Sequence, residues 1–467
     1  MPPHHLDRLT AIDASFLHQE GPDSHMHVGA LVVAEGPVPA YDDVLDSIRR
    51  RLHLVPRYRQ KLAFPPAKSG RPLWADDTDF SLEYHVRYTA LPQPGSHEQL
   101  MNLCARVFSQ RLDRSKPLWE MWLIEGLDDG SFGLLTKAHH AMIDGIAGVD
   151  LATVLFDLGP EPAPIDEDLD PWVPEPEPNP VGLLTAGVAG MAKASAGVAS
   201  KVVAALQKPE HALQEARIAA EGIGEIVWAG LNPAPVTPLN VEIGPHRRFA
   251  GVVSELADFK AVKNAFGGTV NDVVLAVVAG ALRTWLQKRG VRTEGMELRA
   301  LVPVSVRTQD QRGAAGNRIA AMRGPLPVWV EDPVERLGVV RLAMDDLKES
   351  NQAIGAEVLS NVQNFAPPTI LAQASRINFS TRLFNLLVTN VPGPQFPLYI
   401  QGRKMTAVFP IAFLPSNHAL AIAIMSYDGH MNFGLLGDYD AMYDLDDFGG
   451  AIEDALAELV SLAAAPV

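Results

Sequence analysis

A single cysteine, Cys104, stands in the whole chain. No internal disulfide can form, so the fold must rest on buried apolar surface. The setting of that residue, LMNLCARVF, has helical apolar spacing and predicts a buried structural thiol rather than a nucleophile. Basic residues are also scarce, since 39 Lys and Arg against 55 Asp and Glu leave a net charge of −16. That balance argues against nucleic acid as a partner, because phosphate recognition needs clustered cations. It argues equally against a purely electrostatic hold on an anionic membrane.

Missing motifs narrow the chemistry further. There is no G-x-S-x-G elbow, which disfavours a serine hydrolase of the common α/β type. Without a P-loop or G-x-G-x-x-G, nucleotide-driven and hydride chemistry have no visible support. Neither His-Glu-x-x-His nor a pair of cysteines is present, so no metal site is expected. The opening MPPHHLDRLTAIDASF lacks a basic stretch followed by an apolar run. The reading is therefore a cytoplasmic protein without a secretory signal.

What is present is an ordinary globular composition, 47% hydrophobic and 20% charged. A length of 467 residues exceeds one ordinary core and predicts two domains of roughly 200 residues each. Strand and helix patterns alternate in both halves, which predicts a mixed α/β (α+β) class. In residues 1–159, HMHVGALVVAEG (25–36) reads as a strand and YDDVLDSIRRRLHLVP (41–56) as a helix. A second helix, HEQLMNLCARVFSQRLD (97–113), precedes a hairpin made by LWEMWLIEGL (118–127) and FGLLTKAHH. Residues 160–180 then carry eight prolines among many acids, the composition of an exposed linker. The Ala- and Gly-rich stretch 181–207 predicts a helix that packs on the protein, with adhesion to lipid as the alternative. It belongs to a connection over 160–240.

From 241 to 467, helices are expected over 271–290 and 332–350, with Asn271 or Asp272 near the cap of the first. Strands are expected over 298–307 and 383–394, the latter stopped by Pro392, Gly393 and Pro394. A hairpin over 419–438 turns at Asp428-Gly429.

The segment TKAHHAMIDGIAG (136–148) is the point of chemical interest. Alternation along a strand sends His139 and His140 to opposite faces, which makes them poor joint ligands for one metal ion. A strand, a tight turn and a helix running to Gly159 are expected there, with Asp144 at the helix start. His140 is left at the strand end, and Gly145 lets another backbone or a ligand approach closely. A core histidine beside an Asp N-cap explains the spacing as well as a general base does. His25 and His27 share one strand face and read as exposed or channel-lining.

HHAMIDG (139–145) resembles the HHxxxDG signature of bacterial wax ester synthase/acyl-CoA:diacylglycerol acyltransferases. LTAIDASFLHQEGPDSHMHVGAL (9–31) and RSKPLWEMWLIEGL (114–127) are similar to that family's early blocks. NDVVLA (271–276), LVPVSVR (301–307), TNVPGP (389–394) and FLPSNHALAIAIMSYDGHMNFGLLGD (413–438) are similar to its later ones.

The resemblance implies two chloramphenicol-acetyltransferase-like domains with mixed sheets flanked by helices, joined by the Pro-rich linker and a helical connection. It implies transfer of a fatty acyl group from acyl-CoA, bound as substrate with no cofactor, to diacylglycerol or a long-chain alcohol. His140 would be the general base in a tunnel between the domains. His139 would shape the site, and Asp144 would pair with an arginine. Asn271, Thr389 and Asn390 are the oxyanion or tunnel candidates. Peripheral contact with a membrane or lipid droplet is a further expectation. Two alternatives stay open: an acyl carrier protein as donor, or a lipid-binding protein without turnover.

Overall fold

The computed structural model describes residues 7–66, 70–142, 156–161, 172–179, 181–183, 185, 232–305, 319–349 and 379–464. Along the first half run α1 (Ala11–Gln19), β1 (His27–Ala34), α2 (Tyr41–Arg51), β2 (Gln60–Ala63) and β3 (Leu73–Asp76). They are followed by α3 (Leu82–His85), β4 (Val86–Ala90), α4 (His97–Phe108), β5 (Trp119–Glu125) and β6 (Phe132–His139). The second half contains β7 (Arg247–Glu255), α5 (Leu256–Phe266), α6 (Val270–Lys288), β8 (Leu298–Ser305), β9 (Ile319–Leu326) and α7 (Pro333–Glu349). It continues through β10 (Leu386–Pro392), β11 (Tyr399–Ile400), β12 (Arg403–Ile411), β13 (Leu420–Tyr427), β14 (His430–Asp438) and α8 (Leu445–Ala463).

Local chemistry accounts for the element ends. Ser96 caps α4 in a box closed by the Gln99 side chain. Asp428 and Gly429 both adopt positive φ, 43° and 88°, which is what a two-residue turn between β13 and β14 needs. The helix expected from 271 begins at Val270, one residue earlier, and Asp272 does lie at its cap. Thr269 is the N-cap, and Asp272 closes the box, so Asn271 has no capping role.

Two mixed six-stranded sheets result, in the orders β11-β12-β1-β6-β5-β4 and β7-β14-β13-β10-β8-β9. Although β11 and β12 lie in the chain between β10 and β13 of the second sheet, they complete the first sheet. β12 lies antiparallel to β1, with Ala30 opposite Pro410 and Val32 opposite Val408. The first core accordingly includes Leu383, Phe384, Leu387, Ala421 and Ala423 from the second half. The second core surrounds α6, which is buried from Asp272 to Leu282.

Where β12 crosses the second sheet, two glycines face each other in register, Gly251 on β7 and Gly434 on β14. A Cβ on Gly434 would land inside the carbonyl oxygen of Pro410, and one on Gly251 would meet the ring of Phe409. Only the absence of side chains lets the two sheets approach this closely.

The helix expected to run to Gly159 does not include its last four residues. Asp157 instead bridges Tyr399 through two backbone hydrogen bonds of 2.9 Å and is buried against Arg51 Nη2 at 2.6 Å. Part of the Pro-rich segment is pinned rather than free. The Arg59 guanidinium lies 4.4 Å from the centre of the Trp172 ring, Glu177 pairs with Lys61, and Glu175 N–H donates to Asp76. Most of the stretch 181–207 lies outside the described residues, as do 143–155. Among the described residues no single helix is long and apolar enough to cross a membrane.

Candidate active site

His139 and His140 stand at the end of β6, where the strand passes into a turn. The β1–β6 ladder pairs His27 with His139. The His140 N–H continues that pairing by donating to Met26 O at 2.8 Å, and Met142 N–H donates back to His139 O at 2.9 Å. The two rings diverge, as strand alternation requires.

The His140 ring enters a wall built by both halves of the chain. It stacks on Phe16 of α1, with centroids 3.9 Å apart and planes 20° from parallel. Phe413, just beyond β12, meets it edge-on at 5.5 Å. Phe379 extends this wall, 5.8 Å from Phe413 and 6.5 Å from Phe16. His140 Nδ1 is buried without a hydrogen-bond partner among the described residues, yet the residue keeps partial exposure. Nε2 is the ring nitrogen not enclosed in this way among the described residues.

Burial lowers the His140 pKa to about 4. Its own carbonyl opposes the drop without closing a hydrogen bond of proper geometry, and His139 adds to the lowering. The ring is consequently neutral at physiological pH and able to accept a proton.

His139 faces a different environment, in which every polar neighbour is buried or charged. Its Nδ1 accepts the Ala141 N–H at 3.0 Å, and its Nε2 lies 3.6 Å from Glu20 Oε2. Glu20 in turn accepts from Arg114 Nε at 2.8 Å and Arg111 Nε at 3.4 Å, and it stands 3.9 Å from His27. Burial alone would raise the Glu20 pKa, but His139 and Arg114 hold it down to about 2. His25 and His27 are buried in the same region, which removes the exposed one of the two sequence readings. Burial keeps both below the usual imidazole range, helped for His27 by the charges of Lys137 and Arg111.

Asp144 and Gly145 lie outside the described residues. Of the remaining candidates, Asn271 and Asn390 are brought together, with Asn390 Nδ2 donating to Asn271 Oδ1 at 3.4 Å. Thr389 falls on the opposite face of β10, the face it shares with Leu387 of the first core. None of the three hydrogen-bonds to the His140 ring among the described residues. Cys104 is fully buried, which pushes its thiol pKa up and suits a structural residue. A cavity of about 1280 Å³ opens between the halves, lined by Val33, Met101, Arg248 and Phe409 among others. It lies toward the far end of β1 and does not include His140.

Sequence reading missed Phe16, Phe413 and Glu20. The aromatic pair comes from segments 397 residues apart and has no local signature. Glu20 did carry one. It is the C-cap of α1, where the helix dipole disfavours an acid, so its presence there called for a compensating cation.

Residues 9–274 match the model described as wax ester synthase/diacylglycerol acyltransferase catalytic domain, and residues 315–460 match the WS/DGAT C-terminal domain. A probable diacylglycerol O-acyltransferase of Mycobacterium tuberculosis is 35% identical, over 98% of this chain and 96% of the relative. The solved wax ester synthase/diacylglycerol acyltransferase of Marinobacter aquaeolei VT8 is 28% identical, with a TM-score of 0.68. That alignment covers 98% of this chain and all of the other. The first condensation domain of the calcium-dependent antibiotic synthetase superposes with a TM-score of 0.61 at 17% identity, over 99% of this chain and 97% of that one. At that identity the likeness concerns the fold alone.

Proposed function

Because the chain belongs to the wax ester synthase/diacylglycerol acyltransferase family, we propose that it moves a fatty acyl group from coenzyme A to the hydroxyl of a diacylglycerol. The observation that carries the proposal is the His140 ring, held neutral by burial where the two halves meet, with Nε2 not enclosed among the described residues. A long-chain alcohol presents the same hydroxyl and is proposed as a second acceptor.

The chemistry needs no covalent acyl-enzyme. His140 accepts the acceptor's proton while its oxygen attacks the thioester carbonyl. The tetrahedral intermediate then collapses, the carbon–sulfur bond breaks, and the departing sulfur takes the proton from the imidazolium. One ester and one free thiol result. Holding both substrates beside a single ring turns the encounter into a positioned reaction.

Thr389, on the β10 face shared with the first core, is the proposed side-chain donor to the oxyanion. The Asn271–Asn390 pair braces α6 against the opposite face of β10. Asp144 is assigned a structural role, pairing with an arginine to hold the turn after His140, and Gly145 is assigned close backbone approach there. Diacylglycerol is itself a lipid, so the enzyme is proposed to meet it peripherally, at a membrane or droplet surface, through apolar contact. The condensation-domain likeness adds no support for a carrier-protein donor.

Purified protein given palmitoyl-CoA and dioleoylglycerol is expected to release free thiol and triacylglycerol in equal amounts. Absence of both products with dioleoylglycerol, and of ester with a long-chain alcohol, while acyl-CoA is bound but unturned, would overturn the proposal. The pH profile follows from the site. An ordinary histidine base loses half its activity by about pH 6.5. With the His140 pKa near 4, the neutral form is the one that persists as pH falls. The acid limb of kcat/KM for the acceptor is thus expected below pH 5.5 or so, and a half-point at about 6.5 would contradict the buried neutral ring.

A further inference from the structure

Glu20 has a carboxylate only 1% exposed, placed at the end of α1 among charges that have no part in the proposed reaction. Arg111, Arg114, His27 and His139 face it directly. Behind them lie His25, whose ring centre is 5.5 Å from that of His27, and Lys137, which donates to Glu120 Oε1 at 3.0 Å. Arg87 faces Glu120 from the other side at 3.3 Å, and Arg247 reaches the Asp23 carbonyl nearby. With two guanidiniums already on Glu20, a proton added to His139 would place surplus positive charge in a closed space. Burial keeps that ring neutral.

A neutral imidazole must choose one nitrogen for its hydrogen. His139 Nδ1 accepts the Ala141 N–H, so the hydrogen belongs on Nε2, which is buried and faces the Glu20 carboxylate at 3.6 Å, an electrostatic contact just beyond hydrogen-bond distance. In the other tautomer two donors would meet at Ala141 and a lone pair would meet the carboxylate, and both contacts are repulsive. The Ala141 N–H closes the peptide immediately after His140. His140 is thereby held on both sides, by its own N–H on Met26 and by its successor's N–H on His139.

We propose that Glu20 is a positioning residue, selecting the Nε2–H tautomer of His139 and, through the Ala141 N–H, aiming the His140 ring. The inference rests on the reading of His140 as the base.

Its test combines turnover with a readout that does not depend on activity. The His139 ring nitrogens are observed by 15N NMR after histidine labelling and assigned from their loss in His139→Asn. In Glu20→Ala the Arg111 and Arg114 guanidiniums are left near Nε2 without the carboxylate and disfavour a proton there, so the His139 signal is expected to leave the Nε2–H pattern. Its kcat is expected to fall by about 10- to 100-fold, with KM for acyl-CoA and acceptor within about 3-fold of the parent. A second arm leaves Glu20 in place and so survives misfolding of that variant. Asparagine at 139 offers an oxygen near the Nδ1 position, whereas glutamine reaches the Nε2 position instead. His139→Asn is expected to retain kcat within about 5-fold and His139→Gln to lose about 10- to 100-fold. In the His139→Asn background, Glu20→Ala should cause no further loss of kcat.

Unchanged kcat or an unchanged tautomer in Glu20→Ala would overturn the inference. So would a loss confined to KM, or equal rates for the two His139 variants. These outcomes are separable from failure of the base assignment. That assignment falls only if a variant lacking the His140 ring stays active, whatever tautomer His139 adopts.

Discussion

Replacing His140 with alanine is expected to lower kcat by about 10²- to 10⁴-fold, the range that a positioned general base supplies. The loss should fall on kcat rather than on acyl-CoA affinity, because the imidazole is needed when the acceptor proton leaves and not when the thioester binds. The surroundings make the variant a clean one. The ring lies between Phe16 and Phe413, and its removal opens space without stranding a charge, since the parent ring is neutral. Its Nδ1 has no partner among the described residues, so no hydrogen bond is orphaned by the change. Added imidazole should enter the gap against Phe16 and recover part of the rate, whereas a cation of similar size should not. Comparison of melting temperatures and acyl-CoA binding in parent and variant separates chemistry from folding. Turnover at the parent rate in a folded variant would remove the imidazole from the mechanism.

The second large effect concerns architecture. Gly434→Ala adds one carbon where the backbone of Pro410 already occupies the space, and a backbone oxygen cannot swing away as a side-chain tip can. Overpacking costs about 1–3 kcal/mol in an adaptable core. A clash with a paired strand belongs at the upper end, so a drop of about 3–6 °C in melting temperature is expected. Gly338→Ala supplies the contrast. That glycine lies within α7 with nothing within 4 Å of the added carbon, and alanine there should raise stability by about 0.5–1 kcal/mol. Thermal unfolding of the two variants followed by circular dichroism tests both signs. Equal shifts would mean that the close approach of the sheets carries no weight.

Much of the fold was legible because the code is local. The strand at 27–34, the helices at 97–108, 270–288 and 333–349, and the Asp428-Gly429 hairpin follow from periodicity, caps and turn residues. His139 and His140 were legible for the same reason, since alternation along one strand fixes their divergence. The ownership of strands was not. Residues 403–411 pair with 27–34, and no periodicity reports a partner 370 or more positions away. The aromatic wall around His140 was hidden for the same reason, because Phe16 and Phe413 become neighbours only after both sheets are assembled. Asn271 illustrates a narrower miss. Two acceptable cap residues stand at 271 and 272, and only the geometry of Thr269 shows where the helix begins.

The loan of β12 to the first sheet has a consequence for how the molecule is made. During synthesis β1 emerges from the ribosome hundreds of residues before β12, and until then one side of β1 is an unpaired hydrogen-bonding edge. Such an edge invites pairing with another nascent chain, and contacts this distant in sequence form slowly. The aromatic wall around His140, which Phe413 completes, can therefore form only after nearly the entire polypeptide has been translated.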